Sequence, residues 1–524
     1  MSTTRAVWIF LLVLTALRLA LVGVTQLSPD EAYYWMWSQR PALSYFSKGP
    51  GIAFVMRSST MLFGDTEFGV RFWSPILAAG TSLLLYYFAQ RLFSALAGFW
   101  MVVALNIVPI FNLGTLVFTI DPLSIFFWTA ALYVFWLALE RSPGFSWWWP
   151  FTGLLIGLGF LCKFTNALEL ISIFLVLFLV PRWRREFRRP NLYLLLIAFA
   201  LCTIPTVIWN AQHAWITLVH LKSRGGFDAG FGFRPLELLF FLGEHFVTYS
   251  PLLFLGLALA TIASWRRAQQ NLKVLYLLWF GLPVFLAYAL LSINRAAAPN
   301  WDGLAFISLG VLAISYWRER SASRIAGNHW IHAAVVIGLL MSAGLIWLVV
   351  NNHGVDRRPH DPGDRLRGWR ALATAVDQVR NDFEKRTGQP VFLIADTRTG
   401  AAELAFYLPN KRVAEPGHPP VYIPESQDMV NQFSFWPRYD EFEPLPAGAA
   451  PDRNGIYTEE QGVNLFAGRT ALFLQLGDKT QPPRAIRGGF GRTERIATIE
   501  VHTGKRLLRR LQVYACYDYR TMPL

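Results

Sequence analysis

Apolar runs of roughly 16 to 20 residues, separated by short basic loops, constrain this chain more than any other feature. They fall at about 7–25, 72–90, 95–112, 123–140, 147–162, 166–181, 192–209, 249–265, 274–292, 302–317 and 331–350. Each is about long enough to cross a bilayer as a helix. Aromatic residues sit at many of their ends (Trp73, Trp100, Trp147 to Trp149, Trp265, Trp317 and Trp330), where amphipathic rings settle at the membrane boundary. With 54% hydrophobic and only 16% charged residues, the 524-residue chain has too little charge to cover a soluble protein of its size. The expectation is a polytopic α-helical membrane protein. The run Val7–Val24 reads as a retained first helix rather than a cleaved signal peptide, because no small-residue cleavage site precedes the carboxylates that follow it.

The net charge of +14 raises nucleic acid as a partner, but the positions of the cations argue against it. With the N-terminus in the cytoplasm, alternation assigns Arg5, Arg91, Arg141, the cluster Arg182 to Arg189, Arg266, Arg267, Lys273, Arg318, Arg320 and Arg324 to one side. That is a strong positive-inside bias. The opposite side receives 26–71, 113–122, 163–165, 210–248, 293–301 and everything after about 352. The three cysteines, Cys162, Cys202 and Cys516, form neither a disulfide framework nor a metal-type spacing. The reading is a membrane domain over 1–351, with a first outer loop at 26–71, and an outer soluble α/β domain over 352–524. In the latter, Val391–Ala395 and Ala471–Leu476 read as strands, Ala401–Tyr407 as a helix, and Ile496–Val501 with Leu507–Tyr517 as a strand pair turning at Thr503-Gly504.

The outer side collects the chemistry. The first loop opens Ser28-Pro29-Asp30-Glu31-Ala32-Tyr33-Tyr34-Trp35. Acids after Ser-Pro suit a helix start, but capping does not account for the aromatic run. Lys48 follows in Tyr45-Phe46-Ser47-Lys48-Gly49-Pro50. As a lone residue it reads better as an interfacial snorkelling lysine than as a phosphate contact. Asp121 lies between two apolar runs, Lys163 ends another, and Arg295, Asn300 and Trp301 share an outer turn. Acids near hydrocarbon face a protein interior or a wet cavity. A sugar carried on a lipid phosphate needs such a set: fixed positive charge from Lys48, Lys163 and Arg295 for the departing phosphate, and a base such as Asp30 for the acceptor hydroxyl. No Gly-rich phosphate loop for a nucleotide sugar is present. His213, His220 and His245 fall in the loop 210–248, where solvated histidines are the commoner case; Gly225, Gly226 and Gly230 give that loop the character of a lid. Trp436 and Phe406 read as core of the outer domain.

These residues resemble a known family. Asp30-Glu31-Ala32-Tyr33-Tyr34-Trp35, the Lys48 segment, the Asp121 turn and Lys163-Phe164-Thr165 resemble glycosyltransferase family 39, in particular its bacterial members related to the lipid A aminoarabinose transferase and the protein mannosyltransferases. Pro299-Asn300-Trp301, Glu403–Leu408 and Asn431–Pro437 support the likeness. The resemblance implies a GT-C fold with about 11 to 13 membrane helices and a periplasmic soluble domain. It implies a polyprenyl-phosphate sugar donor, inversion at the anomeric carbon, and an envelope acceptor such as lipid A, lipopolysaccharide core, another glycolipid or a protein, all at a bacterial inner membrane. It makes Asp30 the catalytic carboxylate with Glu31 beside it, and Lys48 a donor-phosphate contact. Asp121 then orients the site, with Tyr33, Tyr34, Asn300 and Trp301 in the pocket. The chain has Lys48-Gly49-Pro50 where the family commonly has Lys-Pro-Pro, and Ser47 where zinc-binding relatives place a metal-ligating Glu. No metal site is carried over, and the cofactor stays unassigned. The rival readings are a transporter or flippase of a lipid-linked glycan, for which a repeated helix pattern is missing, and a ligase or polymerase of O-antigen type. Sugar, acceptor and oligomeric state are not legible.

Overall fold

The computed structural model describes residues 2–226, 228, 230, 232–323, 326–351, 362–442 and 462–520. The chain divides into two compact units: Met1–Val24 with Trp37–Val350, and Thr25–Met36 with Asn351–Leu524. The segment that carries Asp30, Glu31, Tyr33 and Tyr34 therefore packs with the C-terminal residues, although it lies inside the loop 26–71.

All eleven apolar runs are helical. Six described helices are long and apolar enough to cross a membrane: Thr3–Leu21, Glu67–Leu92, Ile120–Glu140, Pro190–Gln212, Leu272–Ser292 and His329–Val350. Pro235–Thr248 and Pro251–Ser264, bent by 115° at their junction, make a seventh if counted as one span. Of the remaining runs, Ala305–Ser323 carries Arg318, Glu319 and Arg320 near its end, and Ala95–Ile107, Trp148–Cys162 and Phe164–Leu179 are shorter. The helix Ala95–Ile107 ends before Val108-Pro109, where the residue preceding proline turns extended and a short helix, Pro109–Leu113, restarts. Large apolar side chains stay uncovered on these helices, with Leu12 65%, Ile262 73% and Leu340 66% exposed. Such faces need lipid rather than water, and the chain is a multi-pass membrane protein.

Within this unit the basic ends of the helices gather together. Arg91 pairs with Glu140 at 2.7 Å, Arg318 donates to Ser94 Oγ at 2.8 Å, and Arg267 meets Glu319 at 2.9 Å. Glu140 closes the helix Ile120–Glu140 and Asp121 opens it. At 1.5 Å per residue, the arginine-rich end and the Asp121 end lie roughly 30 Å apart.

Not all of the first loop and of 210–248 is loop. Gly51–Phe63 and Glu67–Arg71 are helical, as are Ile216–Arg224 and Pro235–Thr248. The sequence signal for these was masked by their interfacial composition, which is neither continuous apolar nor clearly polar.

The second unit contains a four-stranded sheet of order β1-β2-β4-β3, with β1 Phe392–Ala395, β2 Ala471–Leu476, β3 Phe490–Thr503 and β4 Arg506–Tyr519. β1 and β2 run parallel and the other pairs antiparallel. β3 and β4 join through Gly504, whose φ of 58° suits a glycine turn. Helices accompany the sheet, among them the short Arg484–Gly489 and two longer ones. One is Arg398–Tyr407, and the other is the amphipathic Trp369–Thr387, which buries Leu372, Val376 and Phe383 and ends on Gly388 in the left-handed region. The core is aromatic, with Phe392, Tyr422, Tyr439, Phe466, Phe490 and Tyr519 in contact.

Candidate functional site

Asp121 stands in the first turn of Ile120–Glu140, where the helix dipole favours a carboxylate. Lys163 caps the C-terminus of Trp148–Cys162 in an extended conformation, which turns its side chain out of the helix path. The two meet at 2.8 Å. Lys163 Nζ also donates to the Asn300 carbonyl at 3.0 Å, and Asn300 Nδ2 donates to the other Asp121 oxygen at 2.9 Å. Three segments far apart in sequence thus converge on one carboxylate. The Lys163 turn is fixed by Asn166, fully buried, which accepts from Ser124 Oγ at 2.5 Å and donates to the Ser124 carbonyl at 3.0 Å. Gly159 leaves room for that amide; a Cβ there would stand 2.4 Å from Asn166 Nδ2.

Lys48 joins this cluster, and its charge acts on Asp121 together with that of Lys163. Its turn is closed by Tyr45 N and Ser44 Oγ, both donating to the Lys48 carbonyl. Gly49 lets the turn lie against the end of the Lys163 helix, since an added Cβ would be 2.3 Å from the Leu161 carbonyl oxygen. This contact accounts for glycine where the family commonly has proline.

The turn carrying Asn300 is held from below. Asp302 and His245 are both fully buried and meet at 2.8 Å, and His245 Nδ1 lies 2.7 Å from the Phe241 carbonyl. A carbonyl only accepts, so Nδ1 carries a proton, and a second proton must lie between Nε2 and Asp302. Tyr249 stacks on His245 and donates to the Pro299 carbonyl at 3.1 Å. His245 is therefore a packed residue bonded to an acid, not a solvated loop histidine. Asp302 escaped the sequence reading, since a single acid before an apolar run carries no signal of its partner.

Arg295 is exposed and makes no side-chain hydrogen bond or ion pair among the described residues. Trp301 lies under the Arg224 guanidinium at 5.0 Å. His213 bonds its own helix at Trp209, and His220 packs on Phe46. Among the described residues no group of three His, Cys, Asp or Glu side chains could hold a metal ion. Asp121 and Asn300 line one wall of a cavity of about 210 Å³, otherwise mostly apolar, with Leu105, Phe111, Ile125 and Tyr249. A larger cavity of about 410 Å³ shares Leu105, Phe111 and Tyr249 with it.

The remaining sequence-derived residues lie in the second unit. Asp30 is exposed, with Arg398 Nη2 at 3.5 Å. Glu31 is fully buried and accepts from Ser28 N at 2.9 Å, while its own N–H reaches Ser28 Oγ at 3.5 Å. This is a capping box, so the second acid of the pair has the structural task and Asp30 the open one. The Tyr33 hydroxyl accepts from Gln432 N at 2.7 Å and its ring stacks on Phe433. Tyr34 is buried beside it. Both are core of this unit, as are Trp436 and Phe406.

Residues 47–209 match the dolichyl-phosphate-mannose-protein mannosyltransferase family. The chain is 28% identical over 288 residues to the lipid A galacturonosyltransferase RgtD of Rhizobium johnstonii, covering 54% of this chain and 59% of that protein. It is 26% identical over 323 residues to the undecaprenyl phosphate-alpha-4-amino-4-deoxy-L-arabinose arabinosyl transferase of Erwinia tasmaniensis, covering 54% of each. The chain thus spans somewhat over half the length of these curated relatives. In fold it is similar to ArnT from Cupriavidus metallidurans bound to undecaprenyl phosphate, with a TM-score of 0.61 and 15% identity over 98% of both chains. The resemblance to glycosyltransferase family 39 read from the motifs therefore stands, and the chain is a multi-pass membrane protein of GT-C fold whose residues 47–209 match the protein-mannosyltransferase family.

Proposed function

We propose that the chain is an inverting glycosyltransferase that moves one sugar from a polyprenyl-phosphate carrier to an envelope acceptor, with lipid A or another glycolipid the favoured class. Supporting this reading above all is the cluster of Lys48, Lys163, Asp121 and Asn300 at the edge of an apolar cavity. A lipid-borne phosphate needs cations beside hydrocarbon, and a nucleotide sugar does not. The acceptor oxygen attacks the anomeric carbon, the bond from that carbon to the phosphate oxygen breaks, and the lipid phosphate leaves with the electron pair. Asp30, exposed beside Arg398, takes the acceptor proton. Lys48 and Arg295 stabilise the departing phosphate. Lys163, spent on Asp121 at 2.8 Å, acts chiefly by holding Asp121 and Asn300 in place. A protonated acid is not required, because phosphate leaves unaided. The positive-inside rule, applied to the arginine-rich helix ends, supports a periplasmic face of the inner membrane for this end of the bundle.

Mass spectrometry of envelope glycolipids and glycoproteins from cells making the wild-type protein or Asp30→Asn tests the proposal. Loss of one hexose, pentose or uronic acid in the variant is expected, with a fall in transfer of at least about 100-fold for a missing base. No glycan difference at equal protein levels would remove the transferase reading.

A further inference from the structure

Helices Trp148–Cys162 and Pro190–Gln212 pack closely, because Gly153 and Gly157 let the first lie against Leu195 and Cys202 of the second. Beside this contact runs an open groove of about 820 Å³, walled by Phe151 and Leu154 from one helix and Leu201 and Cys202 from the other. Arg141, Trp147 and Trp148 line it at the helix ends. Trp147 is 76% and Leu201 60% exposed, so no described residue covers it. From Trp147 to Leu154 the helix rises roughly 10 Å, which stays within one leaflet of a hydrocarbon core of about 30 Å. Lys163 caps the opposite end of the same helix, so the groove belongs neither to the Asp121 cluster nor to the cavities beside it.

The helix-end side of the groove is cationic and preformed. Arg141 and the segment 182–189 hold six arginines and one carboxylate, Glu186. Glu186 is fully buried and spent internally: it accepts from Ser142 Oγ at 2.6 Å, Arg189 Nη1 at 3.1 Å and Asn191 Nδ2 at 3.2 Å. Arg189 also donates to the Pro143 carbonyl, and Asn191 to the Gly144 carbonyl at 3.0 Å. These bonds tie the loop after Arg141 to the arginine segment. Arg141, Arg182, Arg184, Arg185 and Arg188 are exposed, and among the described residues none of them is ion-paired. The Arg141 guanidinium lies 5.6 Å from the centre of the Trp148 ring, which holds it beside the groove. The positive-inside bias accounts for the number of arginines, but not for an uncovered apolar groove opening beneath one of them. We propose that the groove binds an anionic glycerophospholipid of the leaflet at the arginine-rich end, the cytoplasmic leaflet in the orientation proposed above. The lipid phosphate meets Arg141, whose planar guanidinium suits it, and an acyl chain lies along Phe151, Leu154 and Leu201. Basic pockets between membrane helices on that side take acidic head groups, whereas a zwitterionic head group brings an ammonium that the arginines repel. The choice of leaflet rests on the orientation; the site rests on Arg141 and its groove, and not on transfer.

The test is native mass spectrometry of the detergent-purified full-length protein titrated with phosphatidylglycerol or, separately, phosphatidylethanolamine. The wild type is expected to retain phosphatidylglycerol about tenfold more tightly than phosphatidylethanolamine, and Arg141→Gln only about twofold, with Arg141→Lys between them; the difference is the effect of about one arginine at an anionic surface. Leu154→Trp, which fills the groove and leaves the charge, is expected to weaken phosphatidylglycerol binding. Arg267→Gln, which removes a cation at the same end but outside the groove, is expected to keep it. Thermal midpoints of all variants separate loss of the site from loss of the fold. Equal retention of the two lipids by the wild type overturns the proposal, as does an undiminished preference in folded Arg141→Gln or undiminished phosphatidylglycerol binding in folded Leu154→Trp. A loss as large in Arg267→Gln would mean attraction to the whole basic face, and a lipid-free dimer would make the groove a contact between two copies; either result also overturns it. No sugar donor or acceptor is present, so the outcome is independent of the transferase reading, which the glycan measurement judges.

Discussion

The most informative residues are acids whose surroundings assign them different work. Asp30 and Glu31 are adjacent, yet one is exposed beside Arg398 and the other is buried in a capping box. Sequence alone gives the pair and cannot divide it, because the division depends on which side of a short helix, Pro29–Ser38, faces the interior. Glu425 shows the same principle in the second unit. It is 8% exposed, takes the Tyr519 hydroxyl on one oxygen, and leaves the other without a partner. Burial pushes its carboxyl up to about 7. A carboxyl raised in the folded state favours folding while protonated, so its contribution is fully present below the ordinary glutamate value and is lost as pH rises through about 7. A rise of that size corresponds to roughly 3 kcal/mol at most. Protection of the β2 and β4 amides in the full-length protein, taken relative to intrinsic exchange at each pH, is expected to fall from pH 5 to pH 8, and Glu425→Gln is expected to flatten that dependence. The same pH slope in both proteins would show that Glu425 is not its source.

Among elements, the site is made by ends rather than middles. Helix Ile120–Glu140 gives Asp121 from its first turn, helix Trp148–Cys162 gives Lys163 from its cap, and the turn before Ala305–Ser323 gives Asn300. The chain can bring these ends together because glycines let backbones touch. Gly49 lies against Leu161, and Gly51 would place a Cβ 2.5 Å from Cys162 Sγ. Gly49→Ala is expected to lower the thermal midpoint, by the equivalent of about 1–3 kcal/mol, and to reduce transfer by displacing the Lys48 turn from the end of the Lys163 helix. Unfolding and transfer assays on the same preparation check this. An unchanged midpoint with unchanged transfer would mean that the turn relaxes around the new methyl at no cost. The motif reading found Lys48 and Lys163 separately, but the contact between their backbones is written in no local pattern.

For the whole molecule, the decisive asymmetry is electrical. The arginine-rich ends pair with Glu140 and Glu319 at one end of the bundle, and the Asp121 cluster occupies the other. This predicts the orientation. A C-terminal alkaline phosphatase fusion is expected to be active and a C-terminal green fluorescent protein fusion dark, since the first folds productively only in the periplasm and the second only in the cytoplasm. The reverse pattern would place the proposed site in the cytoplasm and remove the reason for a lipid-linked donor. The uncovered apolar faces, such as Leu12 and Leu340, agree with a bundle that is finished by lipid.

The sequence by itself determined the membrane class, the strands of the second unit and its helix, read at Ala401–Tyr407 and found at Arg398–Tyr407. Each of these is set by hydrophobic period, run length or charge count, which are local properties read along one chain. Only the tertiary structure decided that Lys163 is committed to Asp121, that Asp302 and His245 brace the Asn300 turn, that Glu31 caps a helix, that Thr25–Met36 packs with the C-terminal unit, and that Arg18 is buried against Asn106 and Asn112. The physical reason is that the partner of a buried charge is chosen by packing between segments distant in sequence, 42 residues for Lys163 and Asp121 and 137 for Lys163 and Asn300, and no pattern along the chain encodes which distant group will arrive.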